Sequence, residues 1–226
     1  MTWTRSAVVV FGVVILACLS SCKDAGEVAD EAATDGVATE FSSHERLTNK
    51  QLLELAKQPQ LEQLEIYDAS DISDESWTMV LSSLSKLRRL RIEQRAVGDD
   101  VLASIGGLEK LEVLNLPDGD FSNVGLAKVL SLPKLMLLRI GSPNVTDDGF
   151  NGIANVESLR FLHLLNVPIS DAGLVAFHDM DQLESLYIDN GQETEDGIRE
   201  LLKKQPRLHF HRNQLHIAED PNSDGH

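Results

Sequence analysis

The chain has 226 residues, of which 42% are hydrophobic and 25% are charged. This length and composition suit one soluble globular domain or a short repeat array. Its 36 acidic and 20 basic side chains give a formal net charge of -16, which disfavours binding to nucleic acid because phosphate backbones are also negative.

An apolar run from Ala7 to Leu19 follows the single positive charge of Arg5. As a helix, this run covers about 20 Å, whereas the hydrocarbon core of a bilayer is about 30 Å thick. The pattern is therefore more typical of a signal peptide than of a permanent membrane span.

The run ends in Leu19-Ser20-Ser21-Cys22, which resembles the lipobox of bacterial lipoproteins. The resemblance implies that residues 1–21 are removed and that Cys22 becomes the lipidated first residue of the mature protein. Cys18 ends a second, poorer match, and an ordinary cleaved signal with an incidental cysteine is the other alternative. Both cysteines lie in this segment, so the remaining chain offers no disulfide and no cysteine metal site.

Residues 22–46 are rich in Asp, Glu, Ala, Ser and Thr and poor in large apolar side chains. This composition predicts an acidic flexible tether behind Cys22. The alternative is a helical cap over residues 26–34.

A repeat fills most of the remaining chain. The motif L-x-x-L-x-[L/I] begins at Leu61, Leu87, Leu111, Leu135, Leu159 and Leu183, with spacings of 26, 24, 24, 24 and 24 residues. Its alternation of apolar and polar residues predicts a strand in each copy. A fixed period of this length indicates stacked repeats, which share a core that none could bury alone.

A helix is predicted after each strand, because apolar residues there fall three positions apart. One column of apolar residues reads Leu55, Val80, Ile105, Val129, Ile153, Phe177 and Leu201. A column of predicted helix caps reads Thr48, Ser73, Gly98, Ser122, Thr146, Ser170 and Thr194. The next column, Asn49, Asp74, Asp99, Asn123, Asp147, Asp171 and Glu195, is mostly acidic and suits the positive end of a helix. A glycine column, Gly125, Gly149, Gly173 and Gly197, predicts close approach between neighbouring repeats.

The repeats resemble the leucine-rich-repeat family, in particular its 24-residue helical type, whose Ile-Ser-Asp-Ala-Gly-Leu signature stands at residues 169–174. The resemblance covers roughly residues 47–217 and implies an α/β fold. That fold is a right-handed solenoid with a concave parallel β-sheet and convex helices. The chain departs from the family pattern in lacking a regular asparagine column after the strand, where it has Ala69, Arg95, Gly119, Pro143, Val167, Gly191 and Asn213.

Both ends of the array differ from the inner repeats. Residues 47–60 predict a half repeat with a helix but no strand. Residues 205–217 predict a last strand around Leu208-His209-Phe210, in which Leu208 matches Leu186 and His209 lies beside Tyr187. Glu193 and Lys204 replace apolar residues of other copies, and we expect both to face water. The polar tail, residues 218–226, is predicted to be disordered.

Side chains between the buried leucines are predicted to point out of the concave face of the sheet. Val113, Leu137 and Phe161 form an apolar stripe there, beside the cations Arg89, Arg91 and Arg139. Apolar, aromatic and arginine side chains often anchor protein interfaces. The predicted partner-binding residues are Arg89, Arg91, Val113, Leu137, Arg139, Phe161, His163, Leu165 and Tyr187. The alternatives are that the tether covers this stripe or that it faces only water.

No metal or cofactor is predicted, although His209, His211 and His216 form a conceivable histidine site. The sequence contains no G-x-S-x-G, H-E-x-x-H, phosphate-loop or dinucleotide motif, so we expect no enzymatic activity. The catalytic alternative is a site assembled across strands, for which His163 and Asp189 on neighbouring predicted strands are an example.

The sequence therefore predicts a monomeric binding module for a protein or peptide, exported and lipid-anchored to the bacterial cell envelope on its periplasmic or surface side. Its only expected contact with the membrane is the anchor. The alternatives are a structural envelope lipoprotein without one defined partner, and a carbohydrate-binding module using Tyr187 and Arg91.

Overall fold

A computed structural model describes residues 38–213 and the backbone of 215–216. The predicted signal peptide, Cys22, most of the tether and the tail lie outside the described residues. One sheet contains the strands β1 Glu40–Ser43, β2 Gln63–Ile66, β3 Arg89–Ile92, β4 Val113–Leu116, β5 Leu137–Gly141, β6 Phe161–Leu165, β7 Ser185–Asp189, β8 His209–Arg212 and β9 Leu215–His216. The strands pair in chain order, all in parallel except the antiparallel pair β8 and β9.

Helical segments connect the parallel strands. They are α1 Asn49–Leu55, α2 Asp74–Leu81, α3 Asp99–Ile105, α4 Asn123–Val129, α5 Asp171–Leu174 and α6 Glu195–Lys204. Between β5 and β6 the chain forms two short 3-10 helices, Asp147–Phe150 and Ile153–Asn155, instead of the predicted α-helix. Gly152 between them has φ of +85°, and this left-handed conformation interrupts the helical path.

The motif leucines and the apolar column of the helices form one continuous core. The leucine that opens each motif is at most 5% exposed, and every residue of the predicted column from Leu55 to Leu201 is at most 3% exposed. Each strand and its helical segment thus bury their apolar sides against each other and against the neighbouring repeats. The predicted α/β repeat architecture is confirmed.

The predicted cap column also links consecutive repeats. Each capping residue has an extended backbone conformation and directly precedes a helical segment. The carboxylate of Asp99 accepts hydrogen bonds from the backbone N and the hydroxyl of Ser122 in the next repeat, at 2.8 and 2.7 Å. Asp171 binds Thr194 in the same way, with both distances 2.7 Å. The acidic column therefore joins repeats, a role beyond the predicted favourable interaction with helix ends.

The glycine column is confirmed as a site of close approach. A Cβ atom at Gly125, Gly149, Gly173 or Gly197 would collide with a side-chain oxygen of the acidic column in the preceding repeat. These glycines allow the carboxylate and amide oxygens to reach the backbone of the next repeat.

Strand β1 precedes α1, although the sequence predicted no strand there. It also lies within residues 22–46, which were predicted to form a flexible tether. Its sequence has one large apolar residue, the half-buried Phe41, so it carries little strand signal. The strand forms because the edge of β2 has free backbone groups: Tyr67 N donates to Ser43 O at 2.9 Å, and Gln63 N donates to Thr39 O at 3.1 Å.

One finer expectation requires correction and another is confirmed. Glu193 is 2% exposed and does not face water, whereas Lys204 is exposed as predicted. The turns after the strands are joined by polar residues that stand one position before the column in which the family has asparagine, together with Asn213 of that column. Asn190 donates to Asn213 and Asn166, both at 2.9 Å, and Gln94 N donates to Asp118 at 2.8 Å.

Candidate functional site

The sheet has an open face opposite the helices, and the strand register defines two rows of side chains on it. The first row is Gln63, Arg89, Val113, Leu137, Phe161, Ser185 and His209. The second row is Glu65, Arg91, Asn115, Arg139, His163, Tyr187 and His211. His209 thus pairs with Ser185 and His211 with Tyr187, whereas the sequence reasoning placed His209 beside Tyr187. Phe210, fully buried, occupies the position of Leu186 in the preceding repeat.

The predicted apolar stripe is contiguous. Val113 pairs with Leu137, which pairs with Phe161, so the three side chains lie on adjacent strands about 4.8 Å apart. Val113 and Leu137 are half-buried, and Phe161 is 38% exposed. Arg89 precedes them in the same row and is exposed.

The β2–β3 end of the open face is occupied by its own polar side chains. The Arg91 guanidinium lies 4.3 Å from the centre of the Tyr67 ring and donates two hydrogen bonds to Glu93, at 2.9 and 2.5 Å. Tyr67 also donates to Glu65 at 3.2 Å, and its ring stacks on His44 with 3.9 Å between ring centres. Burial, followed by the negative charge of Glu65, raises the pKa of Tyr67. Arg91 therefore has a carboxylate partner within the protein, which weakens the expectation that it binds a partner.

The β5–β8 end of the open face contains a depression of about 400 Å³. It is lined by Leu137, Leu138, Arg139, Phe161, Leu162, His163, Tyr187 and His211. Tyr187 stacks on His211 with ring centres 4.3 Å apart, and His163 lies 5.4 Å from Tyr187. The structure thus brings together five of the predicted binding residues: Leu137, Arg139, Phe161, His163 and Tyr187. Arg89, Arg91, Val113 and Leu165 lie outside this depression.

Two residues that the sequence reasoning did not count as binding residues contribute to this region. His211 joins the wall of the depression because of the register of β8. Asp189 is 7% exposed and holds His163 through a contact of 2.9 Å between Oδ2 and Nε2. His163 and Asp189 are 26 residues apart, which is one 24-residue period plus two residues. Because residues two apart on a strand share a face, this spacing indicates that the two lie on the same face of adjacent strands.

The His163–Asp189 pair does form, as the catalytic alternative requires. A nucleophile activated by this histidine would need a hydrogen bond to it. Within the described part of the chain, Asp189 is the one side chain that forms a hydrogen bond with His163. Among the described side chains, no hydroxyl or thiol is therefore hydrogen-bonded to this imidazole.

The conceivable histidine metal site is assembled only in part. The Nε2 atoms of His209 and His211 lie 2.6 Å apart, and the backbone of His216 pairs with that of His211. The His216 side chain lies outside the described residues. Among the side chains that are described, no three His, Cys, Asp or Glu residues come together in an arrangement that would hold a metal ion.

A basic cluster at the amino-terminal edge of the strands was missed by the sequence reasoning. Lys86, Lys110 and Lys134 line a depression of about 360 Å³ together with Glu62, Arg88 and Glu112. Arg88 and Glu112 form an ion pair at 2.8 Å. The signal is visible in the sequence, because each lysine directly precedes the first leucine of a motif at the 24-residue spacing.

None of the helices within the described part of the chain combines the length and the apolar character needed to cross a membrane.

Comparison with known proteins finds structural likeness but no relative in sequence. No protein-family model matches the chain, and no curated protein matches it. An internalin (inlF) from Listeria monocytogenes has a similar structure, with a TM-score of 0.52 and 19% identity over 76% of this chain. The match spans 46% of that internalin, so this chain corresponds to about half of its length.

Two further solved structures are less similar. An internalin C2 (inlC2) from the same organism gives a TM-score of 0.49 and 18% identity, covering 70% of this chain and 73% of its own. The plant peptide hormone receptor RGFR1, solved in complex with RGF2, gives 0.49 and 19%, covering 77% and 28%. At these identities the likeness establishes the fold alone: the chain has the leucine-rich-repeat fold.

Proposed function

We propose that this protein is a binding module that recognises a protein or peptide through the β5–β8 end of its open sheet face. The observation that carries the proposal is the depression in which apolar, aromatic and cationic side chains meet. Aromatic and arginine side chains dominate the binding energy of protein interfaces when they surround a partly desolvated pocket. A peptide side chain fits a depression of about 400 Å³.

The uneven distribution of charge partners on the open face supports this location. At the β2–β3 end, Arg91 and Tyr67 are held by Glu93 and Glu65. At the other end, Phe161 is exposed and Arg139 has a neutral partner, Asn115. A partner that docks there does not have to displace an internal ion pair from Arg139, which lowers the cost of binding.

The test is a pull-down with a double variant, Phe161→Asp with Arg139→Glu. We expect the change to abolish capture of a defined partner, because it places two negative charges where the wild type has an aromatic ring and a cation. Phe161 is exposed and Arg139 is half-buried, so we expect the variant to stay folded with only a small fall in its urea midpoint.

The matched control is Val175→Asp with Arg199→Glu, which changes an exposed apolar residue and an exposed arginine on the helical side. This control should retain the partner. Equal capture by wild type and both double variants would instead favour the structural envelope role, in which no single surface is decisive.

We further propose that the module is exported and lipid-anchored through Cys22 at the cell envelope. The support is the lipobox-like sequence Leu19-Ser20-Ser21-Cys22, which lies outside the described residues. Cells expressing the protein and fed an alkyne analogue of palmitate should label it, and Cys22→Ala should remove the label. Loss of the label in Cys18→Ala with retention in Cys22→Ala would contradict the assignment to Cys22.

A further inference from the structure

The chemistry of a ligand is indicated by Arg139 of β5, which lines the depression. The side chain is half-buried, and Nη1 donates to Asn115 Oδ1 at 2.9 Å. In the part of the chain that the structure describes, this is the one hydrogen bond that the guanidinium makes. The donors on Nε and Nη2 therefore have no protein acceptor within residues 38–213.

The other half-buried arginines of the described chain have carboxylate partners. Their ion pairs are Arg91 with Glu93, Arg95 with Asp74, Arg160 with Glu184, and Arg212 with Glu193. The chain has 36 acidic side chains against 20 basic ones, so carboxylates are abundant. Arg139 differs because its neighbours in the second row are Asn115 and His163, and neither carries negative charge.

A ligand carboxylate would supply the missing charge. An arginine binds a carboxylate through two parallel, charge-assisted hydrogen bonds, which are stronger than neutral ones. Partial burial strengthens the attraction further, because the surroundings screen charge less than bulk water does. Asp189, an acidic side chain on β7, is paired with His163.

The apolar part of the depression adjoins this cation. Leu137 lies two residues before Arg139 on the same strand, about 6.6 Å away along the strand, and Phe161 pairs with Leu137 on the next strand. This separation suits two neighbouring side chains of one bound peptide, one apolar and one acidic. The sheet continues beyond the depression through β4, β3 and β2, so the open face is longer than the depression.

On the basis of the proposed function, we infer that the depression selects an internal peptide segment in which a Glu or Asp stands beside a large apolar residue. Arg139 binds the side-chain carboxylate, and Leu137 and Phe161 bind the apolar neighbour. Arg139 is thus the specificity-determining residue of the open face.

The test compares two peptides that differ by one carboxylate, acetyl-Gly-Glu-Leu-Phe-Gly-amide and acetyl-Gly-Gln-Leu-Phe-Gly-amide. Each is titrated into isotopically labelled protein, and NMR shifts of Leu137, Phe161 and the Arg139 Nε–H give the Kd. We expect the Glu peptide to bind about tenfold more tightly at low salt, which corresponds to about 1.4 kcal/mol. The difference should shrink as salt screens the charges.

Two variants separate the inference from the proposed function. Arg139→Gln should bind both peptides equally, whereas Arg207→Gln, which changes an exposed arginine outside the depression, should keep the preference. The inference is overturned if both peptides bind equally to the wild type, or if the preference persists in Arg139→Gln. In either case the depression is still a docking site. Absence of shifts at Leu137 and Phe161 with both peptides overturns the inference and counts against the docking site itself.

Discussion

Replacing Gly173 with alanine is expected to lower the free energy of unfolding by about 3 kcal/mol, the upper part of the range for overpacked sites. The new Cβ would lie 2.5 Å from Ile169 Cγ1 and would also overlap the Asp147 carboxylate. Asp147 accepts hydrogen bonds from the backbone and hydroxyl of Ser170, at 2.8 and 2.5 Å. The added methyl group therefore strains the core and disrupts the link between two repeats.

Urea denaturation followed by circular dichroism measures this loss as a lower midpoint. The matched control is Gly107→Ala, because that glycine is exposed and a Cβ there would meet only Ser104 O, at 3.4 Å. The control should change stability by no more than about 0.5 kcal/mol. Similar losses in both variants would show that the acidic column and the glycine column do not couple the repeats.

Removing Arg212 is expected to destabilise the protein by about 3 kcal/mol at neutral pH, because a buried carboxylate would lose its counter-ion. Glu193 occupies an apolar column and its side chain is 1% exposed. Arg212 Nε lies 3.0 Å from Glu193 Oε1, without a well-aligned hydrogen bond to either carboxylate oxygen. Nη2 of Arg212 also donates to the backbone O of Glu193 at 2.9 Å.

The loss in Arg212→Ala should depend on pH. Burial raises the pKa of Glu193, and the charge of Arg212 opposes that rise, so the variant has a still higher pKa. Because its pKa is raised, Glu193 takes up a proton at a higher pH in the folded state than in the unfolded state. Acidification from neutral pH therefore increases the contribution of this group to the free energy of unfolding. The destabilisation relative to wild type should therefore shrink as the pH falls toward the ordinary pKa of glutamate.

Glu193→Gln provides the control, because it keeps the shape of the side chain without its charge. The double variant Arg212→Ala with Glu193→Gln should be more stable at neutral pH than Arg212→Ala alone, and its loss relative to the single variant Glu193→Gln should not change between pH 7 and pH 5. Urea midpoints at each pH measure both differences, in which contributions of distant carboxylates cancel. A loss in Arg212→Ala that stays constant with pH would show that the Glu193 charge is not its cause.

The inner repeats could be predicted from the sequence because their strands and core positions recur at a fixed spacing, from Leu61 to Leu183. Strand β1 could not, because hydrogen bonds to the edge of β2 stabilise it and such bonds leave no side-chain pattern. The register of β8 was predicted wrongly because Leu208 was matched to Leu186, whereas keeping the 24-residue period identifies Phe210.

The candidate site was predictable in part for similar reasons. The row that contains Leu137 and Phe161 follows from the period, and the structure places these side chains together. The pairing of Arg91 with Glu93 depends on side-chain geometry, although residues two apart on one strand share a face and so can meet. Arg139 differs from the other half-buried arginines in having no carboxylate partner among the described residues. This difference becomes apparent only when the side-chain partners of all these arginines are known.

The central claim is that the β5–β8 end of the open face contacts a partner. Photocrosslinking in intact cells tests it most directly, with p-benzoyl-phenylalanine replacing Phe161 in one variant and the exposed Val175 on the helical side in another. We expect one discrete adduct from position 161 and none from position 175. A discrete adduct from position 175 with none from position 161 would contradict the claim.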